Sequence, residues 1–234
     1  MQIIEHHVWQ VTPAEARLLQ EKLHFLVDDK AGLRWDNIRT IAAADVSFSR
    51  FSPVLFAGVV LLGFPDLQLK EIYRDEFKAE FPYIPGYLSF REAPAVLSLF
   101  RQLPRPPDVL LCDGHGFAHP RRFGLASHLG LFLNIPTIGC AKSVLVGECK
   151  EPEQQKGSVS PLIDKGEQIG LTLRTRSGVK PVYISVGHRI NLSQAADIVL
   201  ACSPKYRIPE PIRQAHREVN LLRRQTSEKS PTEK

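Results

Sequence analysis

Length and composition limit what this chain can be. Its 234 residues and hydrophobic fraction of 43% predict a single large domain with a substantial core. No apolar run approaches eighteen residues and the first residues do not resemble a signal peptide, so we expect a cytoplasmic protein that does not cross a membrane. The four cysteines form no C-x-x-C pair, which excludes the common zinc motifs and favours free thiols in a reducing compartment.

The positive net charge of +5 is concentrated near the end of the sequence. From Lys205 onward there are eight Lys or Arg residues against four Glu. A basic final helix that faces phosphate and an ordinary solvated helix explain this pattern about equally well, so charge alone leaves a nucleic-acid partner open. Beyond Gln225 the sequence is polar, and we expect one domain over residues 1–225 and a disordered tail over 226–234.

Hydrophobic periodicity and helix caps predict an α/β domain. The helices are predicted over 13–27, 92–103, 124–133, 193–202 and 210–224, and the strands over 39–48, 54–64, 68–81, 108–113, 137–141, 168–174 and 182–186. The first helix opens with a capping box, Thr12 with Glu15. The polar stretch 148–166 predicts a loop. Three successive strands followed by alternating helices and strands indicate a mixed central sheet flanked by helices.

Two carboxylates follow apolar runs that are typical of buried strands. Asp45 ends the run 41–44, and Asp113 ends the run 109–112. Glu92 stands at the predicted start of the helix between them, which is the layout of ribonuclease H-like nucleases. Converging carboxylates repel one another unless a cation neutralises them, and Mg²⁺ prefers oxygen ligands. The three acids therefore predict a metal site that acts on a phosphate.

Each acid also has a structural alternative. An aspartate at a strand end is often a turn former or a helix cap. Glu92 completes a possible capping box with Ser89, in which the carboxylate returns a hydrogen bond to the cap. A helix that starts near Glu92 instead keeps Pro94 in the tolerated first turn, and we favour that start.

Longer phrases carry a more specific signal than the acids alone. Between about 39 and 224 the chain resembles the endonuclease V family in co-linear phrases: PYIPGYLSFRE at 82–92, DGHG at 113–116, HPRRFGLASH at 119–128, PTIGCAKS at 136–143 and VGHR at 186–189. One small departure is Phe48, where the family often has Tyr.

The resemblance implies a ribonuclease H-like fold and Mg²⁺-dependent cleavage, with Mn²⁺ as a substitute, of a strand containing deoxyinosine. The family nicks the second phosphodiester bond on the 3′ side of the lesion and leaves a 3′-hydroxyl and a 5′-phosphate. Carried over, the metal ligands are Asp45, Glu92 and Asp113, Lys142 lies beside the scissile phosphate and His216 lies near the active site. Without the resemblance, a solvated lysine and a half-buried helix histidine explain the last two residues as well or better.

The resemblance also implies a DNA-binding wedge and a base pocket. Pro82 and Pro85 stiffen a loop carrying Tyr83 and Ile84, which suits a wedge that holds a base stack open. The alternative is a proline-bounded turn that packs Tyr83 into the core. Residues expected to border the base pocket are Gly86, Leu88, Gly114 and Gly124. The cationic loop after Asp113 is expected to contact phosphate, or else to be a plain surface loop, and comprises His119, Arg121 and Arg122.

Two rival functions keep the same residues. One is cleavage of inosine in RNA, which a contact to a 2′-hydroxyl would favour. The other is a non-catalytic module that binds deaminated bases. The presence of all three acids argues against this alternative. We expect a monomer whose partner is DNA containing deoxyinosine.

Overall fold

The computed structural model describes residues 1–48 and 52–229, and within them one β-sheet is packed between α-helices. The strands are β1 (Thr40–Phe48), β2 (Val54–Gly63), β3 (Leu69–Lys78), β4 (Val109–Cys112), β5 (Thr137–Ala141), β6 (Glu148–Cys149), β7 (Val159–Asp164), β8 (Glu167–Leu173) and β9 (Val182–His188). The helices are α1 (Pro13–Leu23), α2 (Leu88–Gln102), α3 (Leu125–Leu133), α4 (Leu192–Ala201) and α5 (Glu210–Lys229).

The sheet has the strand order β3-β2-β1-β4-β5-β9-β8-β7-β6. At its centre β1, β4 and β5 run parallel, whereas the other pairs are antiparallel. Because Ala44 pairs with Cys112 and Cys112 pairs with Gly139, the carboxyl ends of the three parallel strands lie at one edge. The predicted mixed central sheet is therefore confirmed, and Asp45 and Asp113 follow paired residues at that edge.

Alternation along β1 explains why this strand is buried on both faces. Ile41 and Ala43 belong to the core on the side of α4 and α5, whereas Ala42 and Ala44 belong to the core under α2 and α3. The small alanines let the helices approach closely, and enlarging one of them would overpack the core at a cost of about 1–3 kcal/mol. The central strands are thereby fixed in position, and so are Asp45 within β1 and Asp113 directly after β4.

Helix α2 begins earlier than predicted. It starts at Leu88, so the expected start near Glu92 is wrong and Pro94 lies inside the helix. Pro94 removes the hydrogen bond that an amide would donate to the carbonyl of Phe90, but this loss falls within the second turn. The capping box is also absent, because Ser89 is helical and its hydroxyl bonds to the Nδ1 atom of His128 at 3.0 Å.

Other boundaries differ where little apolar surface is buried. The predicted loop over 148–166 contains β6 and β7, which extend the sheet beside β8. Helix α5 continues to Lys229, so residues 226–229 are helical rather than disordered, and the prediction for 230–234 lies outside the described residues. The capping box of α1 is present, although the regular helix ends at Leu23 and continues as one 3₁₀ turn. Across the described residues, no helix is both long and apolar enough to span a bilayer.

Candidate active site

Three elements bring the predicted acids to the same edge of the sheet. Asp45 lies in β1, Asp113 follows β4 directly, and Glu92 lies in the second turn of α2. Burial, followed by the negative charges of Asp45 and Asp113, raises the pKa of Glu92 well above its ordinary value. Burial and then Asp113 also raise the pKa of Asp45. The three carboxylates therefore lie within one another's electrostatic field.

Two cationic or ionisable side chains partly compensate this negative charge. The Nζ atom of Lys142, just after β5, donates a hydrogen bond to Oδ2 of Asp113. The Nδ1 atom of His216, exposed on α5, lies 2.9 Å from Oδ2 of Asp45. Both neighbours oppose the rise in the pKa of Asp45 without cancelling it. All five residues carried over from the resemblance thus lie at one edge of the sheet, where Lys142 contacts Asp113 and His216 contacts Asp45.

The donor chemistry of this edge fits a hard divalent cation. Carboxylate oxygens are the ligands that Mg²⁺ prefers, and a cation would offset both the burial and the neighbouring negative charge that raise the pKa of Asp45 and Glu92. The acids are not gathered as a ready-made site: in the parts of the chain that the structure covers, no three His, Cys, Asp or Glu side chains are close enough together to hold a metal ion. The fit therefore rests on donor type and charge.

A cavity of about 170 Å³ lies directly beside Asp113. This volume is well above the roughly 10–15 Å³ that one water molecule requires. We call it the base pocket; it is lined by Gln20, Tyr83, Ile84, Pro85, Gly86, Leu88, Ser89, Gly114, His115, His119, Gly124, Leu125 and Leu145. Every residue predicted to border a base pocket is among them, and so are three residues of the predicted wedge.

Backbone packing explains two of the pocket glycines. A Cβ atom at Gly124 would lie 2.3 Å from the carbonyl oxygen of His115, which is closer than real contacts allow. Gly86 has a φ of +81°, a left-handed conformation that favours glycine. By contrast, a Cβ atom at Gly114 would make only ordinary contact with Leu125 at 3.8 Å. The pocket wall therefore depends on glycine at positions 86 and 124 for steric and conformational reasons.

The pocket loop is held through one backbone carbonyl, that of Gly86. It accepts hydrogen bonds from Nη2 of Arg121 at 2.7 Å, Nε2 of His119 at 3.1 Å and Nε2 of Gln20 at 3.1 Å. Burial and then Arg121 lower the pKa of His119 to about 4. His119 is therefore neutral at pH 7, and its Nδ1 atom accepts from the backbone amide of Arg121 at 3.2 Å.

The predicted phosphate-binding loop is occupied by internal contacts. Besides Gly86, Arg121 donates to Oε1 of Gln20 at 2.6 Å. Arg122 forms ion pairs with Asp164 at 2.8 Å and Glu167 at 2.7 Å, which anchors the loop to the β7–β8 hairpin. The loop is not a plain surface loop, because His119 is buried, and phosphate contact by these residues stays a prediction.

The proline-bounded loop presents its aromatic residue to solvent. The Tyr83 side chain is 47% exposed, whereas the neighbouring Phe81 is buried. The ring of Tyr83 lies 5.9 Å from the ring of Phe48, measured between centroids. The alternative in which Tyr83 packs into the core is therefore wrong, whereas the neighbouring Ile84 is half-buried and packs against the core cluster of Ala16, Phe81 and Phe90.

Sequence reasoning missed several pocket residues. Ser89, His115 and Leu125 lie inside the phrases that carry the resemblance, so their place beside predicted residues was a usable signal. Gln20 and Leu145 lie outside those phrases. Gln20 meets Arg121 across 101 positions of sequence, and no local pattern indicates such a contact.

Behind the base pocket lies a buried histidine to which no role was assigned. The Nδ1 atom of His128 contacts the Ser89 hydroxyl at 3.0 Å, and its Nε2 atom contacts Nε2 of His7 at 2.7 Å. Burial, and then the neighbouring His7 and His6, lower the pKa of His128 well below its ordinary value. A neutral imidazole thus supports one pocket residue from inside the core.

Comparison with known proteins agrees with this geometry. The family model for endonuclease V matches residues 21–217. An endonuclease V of Trichormus variabilis is 50% identical over 215 residues, covering 92% of this chain and 97% of the relative. The crystal structure of an endonuclease V from Streptomyces avermitilis superposes with a TM-score of 0.89 at 40% identity, covering 94% of this chain and 96% of that chain.

A more distant structure includes a nucleic acid. It is an endonuclease V of Ciona intestinalis in complex with DNA containing an inosine followed by a ribo-adenosine, with a TM-score of 0.81, 28% identity, and coverage of 91% of this chain and 98% of that chain. We call the sheet edge that carries Asp45, Glu92 and Asp113 the acidic edge. Together with the fold, it identifies the chain as a nuclease of the ribonuclease H-like class, as predicted. More narrowly, the chain belongs to the endonuclease V family.

Proposed function

We propose that this protein is a Mg²⁺-dependent endonuclease that recognises deoxyinosine in DNA. It hydrolyses the second phosphodiester bond on the 3′ side of the lesion and leaves a 3′-hydroxyl and a 5′-phosphate. One observation carries the proposal: a base-sized pocket adjoins the acidic edge through consecutive residues, Gly114 in the pocket wall and Asp113 among the acids. A base held in the pocket leaves its own strand beside the carboxylates. The inosine-containing DNA bound by the Ciona intestinalis relative supports this substrate.

Asp45, Glu92 and Asp113 are the residues that would hold the metal ion. When bound, Mg²⁺ supplies a polarising charge for a phosphoryl oxygen and for water. Lys142 contributes a compact positive charge beside Asp113, where it stabilises the negative charge of a phosphate. His216 directs Nδ1 to Asp45, which leaves Nε2 to exchange a proton with water.

The pocket recognises the base through neutral groups. Gly86, Gly114 and Gly124 let the backbone approach the edge of a flipped base, and neutral His119 adds no charge. Hypoxanthine differs from guanine in lacking the 2-amino group, so a close wall discriminates by exclusion. Tyr83 is the side chain proposed to fill the stack that the base leaves.

The test compares acid-to-amide variants on a duplex with one deoxyinosine. Asp45→Asn and Asp113→Asn should each lower the single-turnover nicking rate by about a thousandfold or more, because each removes a charge that holds the metal ion. Asp36→Asn, an exposed site outside the acidic edge, is the control and should nick at the normal rate. Normal nicking by either active-site variant would overturn the assignment.

A second candidate substrate is inosine in RNA. The observation that favours it is the ribo-adenosine that follows the inosine in the strand bound by the Ciona intestinalis relative. Competition between matched DNA and RNA strands, each with one inosine, decides the preference through the ratio of cleavage rates. A Mg²⁺ titration of nicking separates both candidates from a non-catalytic module, which would bind inosine strands and leave them intact.

A further inference from the structure

A second concave surface meets the acidic edge through residues that the base pocket does not use. It encloses about 410 Å³, and we call it the basic groove; it is lined by Lys142, Arg176, Tyr206, Arg207, Ile208, Ile212, Arg213 and His216. Lys142 bonds to Asp113 and His216 bonds to Asp45, so the groove begins where the acids end. The acids therefore connect two concave surfaces that share no lining residue.

The positive charge of the groove is weakly compensated. Among the ion pairs of the described residues, none includes the Arg176 or Arg207 side chain. Arg207 donates instead to the carbonyl oxygens of Lys142 at 2.8 Å and Pro181 at 2.7 Å, which fixes the backbone beside Lys142. Arg176 is exposed in the turn between β8 and β9. The groove thus presents cations to solvent, as an anionic ligand requires.

An aromatic ring holds one of these cations in place. The guanidinium carbon of Arg213 lies 3.4 Å from the centroid of the Tyr206 ring. Glu210 is the one carboxylate that pairs with Arg213 within the described residues, at 3.3 Å and at a partly exposed position. Stacking on an aromatic face restrains a guanidinium and leaves its edge able to donate to phosphate.

We propose that the basic groove binds backbone phosphates of the strand segment on the 3′ side of the cleaved bond. The inference rests on the proposed function, in which the base occupies the base pocket and the cut lies 3′ to it. A strand that leaves the pocket and crosses the acids reaches Lys142 and His216, and the groove is the surface that continues from them. Arg176 and Arg213 are the phosphate contacts, and Tyr206 positions Arg213.

The experiment varies the length of the 3′ arm of the substrate. Single-turnover nicking is measured against enzyme concentration for strands with one deoxyinosine, with either a long 3′ arm or an arm that ends just after the cut. The variant Arg176→Ala/Arg213→Ala should raise the half-saturating concentration roughly tenfold on the long arm and leave the maximal rate unchanged. On the short arm it should behave like the wild type. Arg207 is left intact, because its hydrogen bonds hold the Lys142 backbone.

Salt dependence provides an independent readout. Loss of two phosphate contacts should reduce the slope of log affinity against log salt by about 1.4 for a single strand. The control Arg101→Ala/Arg105→Ala removes the same charge from exposed positions near the opposite end of β4 and should leave the arm dependence intact. Tyr206→Phe should match the wild type, whereas Tyr206→Ala should reproduce part of the double-variant effect.

The outcomes separate this inference from the proposed function. If the wild type does not nick deoxyinosine strands, the proposed function fails. A second case is that the wild type nicks while the double variant raises the half-saturating concentration equally for both arm lengths, or for neither. Either result overturns the groove assignment alone. Arms made with deoxyribose and with ribose should respond equally, since both carry phosphates. A response confined to one sugar would overturn the phosphate assignment.

Discussion

The base pocket and the acidic edge adjoin each other but differ in charge: the pocket is lined mainly by neutral groups, and the edge by carboxylates. The pocket is lined by glycine backbone, apolar side chains and neutral polar groups, and its loop is held by three donors to the Gly86 carbonyl. At the acidic edge, burial and then neighbouring negative charge raise the pKa of Asp45 and Glu92, and Lys142 and His216 oppose the rise for Asp45. The raised pKa values of Asp45 and Glu92 cost stability when these groups are ionised, and under the proposed function a bound metal ion would relieve that cost. Substitutions in the pocket should therefore change mainly lesion binding, and substitutions at the acidic edge should change mainly the nicking rate.

The largest effects are expected on the nicking rate, and in this respect Glu92 belongs with Asp45 and Asp113. Glu92→Gln should lower the nicking rate by about a thousandfold. In metal-free buffer at pH 7 the same variant should be more stable than the wild type, since a carboxylate with a raised pKa opposes folding when it is ionised. Nicking assays and urea unfolding measure the two effects. Glu148→Gln, exposed on β6, is the control, and an active but destabilised Glu92→Gln would mean that Glu92 is structural.

Gly124 tests the backbone origin of the pocket. Gly124→Ala places a methyl group against the His115 carbonyl, so we expect a loss of about 1–3 kcal/mol in the free energy of unfolding and weaker lesion binding. Gly114→Ala is the matched control in the same pocket, and its stability should change by less than about 0.5 kcal/mol. Equal stabilities for the two variants would contradict the account.

The buried His128 should make the free energy of unfolding depend on pH. Its pKa is lower in the folded than in the unfolded chain, so the unfolded state binds more protons below pH 6.5. Its contribution to stability is therefore complete above pH 6.5 and is lost as pH falls, by up to about 1.4 kcal/mol per pH unit. His128→Gln should flatten this part of the profile of urea midpoint against pH. An unchanged slope would show that His128 does not titrate as its burial requires.

The smallest effect on the fold is expected at Tyr83. Because the side chain is exposed, Tyr83→Ala should change stability by less than about 0.5 kcal/mol. Lesion affinity should fall roughly tenfold, as expected for the loss of one stacking contact, and Tyr83→Phe should restore it. Fluorescence anisotropy with a deoxyinosine duplex measures the affinity of both variants, and urea unfolding measures their stability. Unchanged affinity of Tyr83→Ala would contradict the proposal that Tyr83 is part of a wedge.

The sequence predicted the central sheet well because buried strands carry strong signals. The apolar runs before Asp45 and Asp113 predicted two acids at one edge, and the parallel register of Ala44 with Cys112 confirms that placement. The predicted strand end is right for Asp113 and wrong for Asp45, because β1 continues to Phe48 through its pairing with β2. The β6 and β7 strands were missed because they lie at the sheet edge, where Val159 is 51% exposed and alternation is weak. The start of α2 was missed because Pro94 was used to favour a later start, and because the cap residue Tyr87 forms no side-chain capping hydrogen bond that the sequence could have signalled.

Long-range contacts set the limit for the candidate site. The partners of Arg122 lie 42 and 45 positions away, and those of Arg121 lie 35 and 101 positions away. The cationic motif after Asp113 therefore predicted phosphate contact, whereas the structure gives Arg121 and Arg122 partners within the protein. The three acids could be proposed from their positions, with structural alternatives left open, whereas Lys142 and His216 could be assigned only through the family resemblance.

The central claim is that the base pocket and the acidic edge act on neighbouring nucleotides of one strand. Product mapping on a duplex with a single central deoxyinosine, with and without Mg²⁺, tests it most directly. We expect one nick, at the second phosphodiester bond 3′ of the lesion and only with the metal. Cleavage at another position, release of the base, or equal cleavage without Mg²⁺ would contradict it.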